Sequence, residues 1–185
     1  MRKDGTVFWN QINTGFHTTP SGQRFGIVVS RDVTALVEKE QQLEAATRRL
    51  SHIAAHDDLT GLANRTQLSH FLEEALENAQ HTQTAVGVLH VDLDEFNAIN
   101  DTYGHSAGDT VLKAIAQRLQ HRTRESDLVA RIGGDEFVVV CCALSTLQEL
   151  TKIADAMLHA VAEPITWENA ALNCKVSIGA ALSGD

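Results

Sequence analysis

The spacing of apolar residues changes twice along this chain, and each change marks a change of structure. At the N-terminal end the apolar positions come in short clusters divided by turn residues. Asp4-Gly5 precedes Thr6-Val7-Phe8-Trp9, a mixed run covers 12–18, and Pro20-Ser21-Gly22 precedes Phe25-Gly26-Ile27-Val28-Val29. Clusters bounded in this way predict about three short antiparallel strands within 1–34, too few to enclose a core of their own. From 35 to 56 the chain is charged and helical in pattern. Leu36, Leu43 and Leu50 recur every seven residues, with Ala46 and Ile53 three residues after the second and third. Such a seam fits either a solitary amphipathic connector or a parallel helix pair between two copies.

From 57 onward helices and strands mix. Leu68, Phe71, Leu72, Ala75, Leu76 and Ala79 keep helical spacing and predict a helix over 66–80. A buried strand is predicted over 84–92, then a helix over 109–122 with Leu112, Ile115, Ala116 and Leu119 inward. Two strands, 128–132 and 137–143, meet through Gly133-Gly134; a helix over 145–162 and a strand around 172–181 follow. The fold class is therefore α+β, with a strand meander at 1–34, a connector helix at 35–56 and a main domain at 57–185.

Composition narrows the partners. The 185 residues, 43% of them hydrophobic, suffice for one domain of ordinary size and a fragment of another. A formal charge of −9 argues against a nucleic-acid duplex or an anionic membrane as the main partner. A nucleotide stays compatible, because a bound cation and a few arginines can hold its phosphates. Three cysteines imply no disulfide framework. Adjacent Cys141 and Cys142 read as small buried hydrophobes facing opposite ways, and Cys174 has no His or Cys at metal-ligand spacing. No stretch approaches the ~18 apolar residues of a spanning helix, and Met1-Arg2-Lys3 leads into no apolar signal region. A cytoplasmic location without membrane contact is expected for this segment.

Two acidic clusters sit at strand ends. Asp92-Leu93-Asp94 closes the apolar run 86–91, and Asp135-Glu136 follows the Gly-Gly turn. Carboxylates placed so suit Mg²⁺, a hard cation that takes oxygen ligands together with substrate phosphates. Glycine beside them lets a triphosphate approach the backbone closely. On spacing alone, acids that cap a hairpin are the simpler reading.

The longer string favours chemistry. Gly133-Gly134-Asp135-Glu136-Phe137, flanked by Arg131 and Val138-Val139-Val140, resembles the signature of the GGDEF family of diguanylate cyclases. Other blocks of that pattern occur in order. They are 57–65 (Asp-Asp-Leu-Thr-Gly-Leu-Ala-Asn-Arg), Asp92 to Phe96 running into Asn100-Asp101, Gly104-His105 with Gly108-Asp109, and Ser177-Ile178-Gly179. The resemblance covers about 57–185. It implies a palm-like nucleotidyl cyclase fold, an antiparallel-dominated central sheet flanked by helices. It also implies condensation of two GTP into cyclic di-GMP across a homodimer, the 3′-hydroxyl of each GTP attacking the α-phosphate of the other. Carried over residue by residue, Asp92, Asp135 and the Leu93 carbonyl would ligate Mg²⁺ (or Mn²⁺). Glu136 would be a further ligand or the base that takes the hydroxyl proton, so Asp135 and Glu136 are the implied catalytic pair. Asn100 and Asp109 would read the guanine edge, where a carboxylate can accept from N1–H and the exocyclic amine. Phe96, Asn97, Gly133 and Gly134 would complete the substrate site, Phe96 by packing rather than stacking. Asp109 equally suits a helix first turn, and His105 is expected to be a structural turn residue.

Arg124-Glu125-Ser126-Asp127 has the spacing and offset of the family's inhibitory product site, where arginine pairs with guanine and phosphate of cyclic di-GMP; the bland alternative is an exposed ion pair. Asp4-Gly5-Thr6 with Trp9, Gly22 and Ser30-Arg31-Asp32-Val33-Thr34 resembles the last strands of a PAS sensory domain and its closing Asp-Val-Thr. That fragment is too small to line a pocket, so no sensory ligand is expected. Two departures from the pattern matter. Asn97 stands where the family usually has lysine, removing a positive charge near the terminal phosphates, and the chain stops at Gly184-Asp185, before the family's last helix and strand. They favour a second reading: a GTP or cyclic di-GMP binding and relay module of a longer protein, for example one with PAS, GGDEF and EAL domains.

Overall fold

In the computed structural model of the chain, which describes residues 7–22, 24–168 and 170–184, the Pro20-Ser21-Gly22 turn joins two antiparallel strands. They are β1 (Asn10–Thr18) and β2 (Arg24–Asp32), in register from Asn10↔Asp32 to Thr18↔Arg24. About three strands were expected. Thr6 lies outside the described residues, and 7–9 takes no strand pairing. The backbone of Trp9 is engaged elsewhere: its carbonyl accepts from Val33 N (2.9 Å) and its N–H donates to Thr34 Oγ1 (3.0 Å). Asp32 Oδ1 accepts from the N–H (3.0 Å) and hydroxyl (2.6 Å) of Thr34. The Asp-Val-Thr string therefore clasps the hairpin to the start of helix α1 (Thr34–Ala55). Leu36 and Leu43 are exposed on that helix, at 66% and 69%. The side chains of Ala46, Leu50 and Ile53, the rest of the expected seam, lie outside the described residues.

The chain divides into two compact units, Met1–Ser51 and His52–Asp185. The second contains α2 (Arg65–Thr82), β3 (Ala85–Asp94), α3 (Phe96–Tyr103), α4 (His105–Gln120), β4 (Leu128–Gly133), β5 (Glu136–Leu144), α5 (Leu147–Val161), the short pair β6 (Ile165–Trp167) and β7 (Ala170–Leu172), and β8 (Lys175–Leu182). Four strands form a wholly antiparallel sheet in the order β4-β5-β3-β8. Strand periodicity splits its side chains between two cores. Leu89, Val91 and Leu93 pack with Phe137 and Val139 against Ile115 and Leu119 of α4 and Leu150 and Met157 of α5. Val86, Val138 and Val140 meet Ala75 and Ala79 of α2 on the other face. Each large side chain buried there contributes roughly 1.5–3 kcal/mol, which is why β3 and β5 read as nearly unbroken apolar runs.

Local chemistry sets the ends of the elements. The Asn64 side chain accepts from Thr66 N (3.0 Å) and Gln67 N (3.1 Å), so α2 starts at Arg65. Arg118 of α4 donates to the carbonyls of Val161, Glu163 and Pro164 and so closes the end of α5. Two departures from the expected elements bear on the site. The helix expected from 109 begins at His105 and is preceded by α3, divided from it at Gly104, whose φ of +84° favours glycine. The strand expected around 172–181 is broken at 173–174 into β7 and β8. Among the described residues no helix is long and apolar enough to cross a membrane.

Candidate active site

The glycine pair makes the turn that brings the acids together. β4 ends at Gly133, which pairs with Glu136 after a register shift, and Gly134 has φ +46°. The hairpin therefore closes tightly, and β5 runs back beside β3 with Glu136 directly opposite Asp92. Leu93 N donates to the Asp135 carbonyl (3.3 Å), so Asp135 joins the same sheet end. Asp92 is also opposite Ser177 of β8, whose hydroxyl donates to Asp94 Oδ1 (2.8 Å). Directly opposed residues share a face, with Cβ atoms about 5 Å apart, and like charges so placed repel. The side chain of Leu93 is buried, so its backbone carbonyl is what it can offer a ligand.

The carboxylates of Asp92, Asp135 and Glu136 take no hydrogen bond from a described residue. Open carboxylate oxygens in opposition are a donor set that fits Mg²⁺ or Mn²⁺. Among the described residues no three His, Cys, Asp or Glu stand together closely enough to hold a metal ion by themselves.

A second layer holds the hairpin, and its chemistry had not been assigned from sequence. Arg131 Nη1 donates to both Asp57 oxygens (3.0 Å each), while its Nε (3.0 Å) and Nη2 (2.7 Å) donate to the Gly134 carbonyl. Arg131 N donates to the Ala63 carbonyl (2.9 Å), and Ala63 bridges Ala130 in parallel. Asp57 further accepts from the Thr60 N–H (2.9 Å) and hydroxyl (2.6 Å). Partial burial pushes the Asp57 carboxyl up, but the Thr60 bonds and the Arg131 guanidinium outweigh it and hold the group below its ordinary value. The 57–65 turn is thus a brace for the Gly-Gly turn. The signal available in sequence was the company that Asp57 and Arg131 keep in the two strongest motif blocks.

The implied base-reading residues lie on the helices beyond β3. Asn100 is half-buried on α3, Asp109 is exposed in the first turns of α4, and Asn100 sits against Gly108, the residue before Asp109. Phe96 is buried in the core and Asn97 is exposed at the start of α3. His105 is exposed as the first residue of α4. Arg124 and Asp127 occupy the α4–β4 turn. Asp127 accepts from the backbone N–H of Arg124 (3.0 Å) and of Cys142 (3.0 Å), and the two side chains form no ion pair. The Arg124 guanidinium is left beside a cleft of about 420 Å³ lined also by His56, Gln67, Gln120 and Asp127. The cysteines are thiols of the core: burial pushes Cys141 up to about 12 and Cys174 up to about 11.

A wholly antiparallel sheet packed by helices on both faces, with acids gathered at the end of one hairpin, defines an α+β domain with an acidic site at one sheet end. Residues 54–185 match the family described as diguanylate cyclase, GGDEF domain, and the chain belongs to that family. It is 38% identical over 159 residues to the diguanylate cyclase TpbB of Pseudomonas aeruginosa, covering 83% of this chain and 37% of TpbB. It is 38% identical over 140 residues to the bifunctional diguanylate cyclase/cyclic di-GMP phosphodiesterase MucR of the same species, covering 76% of this chain and 20% of MucR. The chain thus spans well under half the length of these relatives. In structure it is similar to the GGDEF domain of TpbB (TM-score 0.68, 42% identity, 70% of this chain and 76% of that one). It is also similar to the GGDEF domain of DgcB from Caulobacter crescentus in complex with cyclic di-GMP (TM-score 0.65, 27% identity, 70% and 77%).

Proposed function

We propose that this chain condenses two GTP into cyclic di-GMP and two pyrophosphates, as one half of a homodimer in the cytoplasm, with Mg²⁺ or Mn²⁺ held by Asp92, Asp135, Glu136 and the Leu93 carbonyl. The observation that carries the reading is the opposition of Asp92 and Glu136 across β3 and β5, two open carboxylates whose repulsion a cation would relieve. When bound, the ion supplies charge neutralisation at the α-phosphorus and orients the phosphates. The chain's own residues do the rest. The Gly133-Gly134 turn, free of side chains, admits the triphosphate, and Arg131 fixes it through the Gly134 carbonyl. Asn100 and Asp109, whose side chains make no hydrogen bond to a described residue, hold the guanine. Glu136 ligates the ion or accepts the proton of the 3′-hydroxyl as its oxygen bonds to phosphorus and pyrophosphate leaves. The test is incubation with GTP and Mg²⁺ and detection of cyclic di-GMP; no product from wild type at micromolar protein overturns the reading.

Product feedback belongs to the same proposal. Asp127 spends its oxygens on backbone amides, which leaves the Arg124 fork available for guanine O6 and N7 or a phosphate of cyclic di-GMP. The hairpin before α1 is read as the end of a PAS domain and α1 as the connector that passes its signal on. A relay module that binds GTP or cyclic di-GMP without turnover is the second reading, favoured by Asn97, which brings no positive charge to the terminal phosphates. It predicts nucleotide binding with no product.

A further inference from the structure

We propose that Gly108 is a positioning residue for guanine recognition, acting through Asn100; the inference rests on the reading of Asn100 as a guanine contact. Gly108 is buried within the first turns of α4, where glycine is a poor helix former and where no left-handed backbone requires it. The neighbour requires it. A Cβ at this position would overlap Asn100 Oδ1 and lie 3.0 Å from Asn100 Cγ and 3.1 Å from Phe96 Cζ. The carboxamide of Asn100 therefore occupies the space that a side chain at 108 would fill. Gly87 is also crowded, but by the methyl groups of Leu144 and Leu150 at 2.6 Å, which is ordinary core packing.

Hydrogen bonds do not set the direction of the Asn100 side chain. Its carboxamide makes no hydrogen bond to a described residue, and its backbone carbonyl is taken by Gly104 N (2.8 Å). The Gly108 slot, with the Phe96 ring beside it, holds the carboxamide against the residue that precedes Asp109. The atom that a Cβ would strike is the far end of a side chain with two free torsions. An alanine at 108 is accommodated by rotating Asn100 out of the slot, not by unwinding α4, and the better helix propensity of alanine works toward stability. The substitution therefore separates base recognition from folding.

The test uses the whole chain as wild type, Asn100→Ala, Gly108→Ala and the double variant. A fluorescent GTP analogue is displaced by 3′-deoxy-GTP and 3′-deoxy-ATP, which cannot condense, and thermal midpoints are read alongside. Each single variant should weaken 3′-deoxy-GTP by roughly tenfold and narrow its advantage over the adenine nucleotide. The double variant should bind no worse than Asn100→Ala alone. If Gly108→Ala lowers the midpoint, removing the Asn100 side chain should restore it. An additive loss in the double variant overturns the proposal, as does unchanged binding by Gly108→Ala while Asn100→Ala is impaired. A midpoint lowered equally in both backgrounds places the collision at Phe96 and likewise overturns it. Unchanged binding by Asn100→Ala is a separate result, which removes the guanine contact itself and the proposal with it.

Discussion

Asp92 and Glu136 sit directly opposite each other, and neither is neutralised by a described residue. Such a pair costs stability and is useful only when something positive comes between its members. Asp92→Ala or Asp135→Ala should then abolish product, by at least about a hundredfold, while changing stability by no more than about 0.5 kcal/mol. Cyclic di-GMP formation with Mg²⁺ beside a urea titration tests this, and retained Mg²⁺-dependent synthesis in either variant rules out the metal assignment. Asp57 is the opposite kind of carboxylate, held by Thr60 and Arg131 and about a quarter exposed, at 23%. Its folded-state value lies below the ordinary 3.8, so the unfolded chain binds this proton more readily. The stabilisation is complete above the ordinary carboxylate range and is lost as pH falls through the folded value. Asp57→Asn should lower stability at pH 7 by about 1–3 kcal/mol, toward the low end because the pair is partly solvated. The gap between wild type and variant should begin to close below about pH 4 and go on closing as pH falls through the lower folded value. A gap that stays constant between pH 7 and pH 3 would contradict the assignment.

At the scale of elements, the α4–β4 turn carries a testable role. Its Asp127 is locked to backbone amides of the turn and of β5, so the turn is preformed and Arg124 can be removed without disturbing it. Arg124→Ala should keep the initial rate with GTP and lose the early plateau of the progress curve. In an Asp135→Ala background, calorimetry should find cyclic di-GMP binding that disappears on adding Arg124→Ala; binding that survives reduces the motif to a surface turn. The elements that were legible in sequence are those with strong periodicity or fixed caps. Strands β3, β4 and β5 and helices α2 and α5 fall within about two residues of expectation, because buried faces repeat and Asn64 and Thr146 cap their helices. Helix α3 was not legible, since Phe-Asn-Ala-Ile-Asn-Asp-Thr-Tyr has too few apolar positions and starts after Glu95 in a left-handed conformation (φ +56°). The break before β8 was hidden because Leu172 before it and Cys174 within it are both buried. At the site, the acids were legible as a motif. The Arg131–Asp57 brace was not, because its partners are 74 residues apart and meet only once the sheet forms.

For the molecule as a whole, one copy carries one set of Asp92, Asp135 and Glu136, whereas the proposed reaction joins two GTP in two symmetric bonds. The proposed function would bring two copies together, and the exposed Leu36 and Leu43 on α1 are where sequence spacing and solvent exposure agree on a seam. Two heptads make a short coiled coil, so the pair should be weak and sensitive to concentration. Specific activity should then rise with protein concentration and level off once dimers dominate. Leu36→Lys alters a side chain already 66% exposed within one copy, so the single chain should fold and melt as before. In the dimer the same change removes two leucines from the seam, each worth roughly 1.5–3 kcal/mol, and should weaken association by at least about a hundredfold. Activity should be lost at low concentration and recovered at high concentration, with sedimentation showing the same shift from dimer to monomer. If wild-type specific activity is flat across that range and Leu36→Lys matches it throughout, then α1 is a connector within one chain, and the two GTP sites are brought together by another surface.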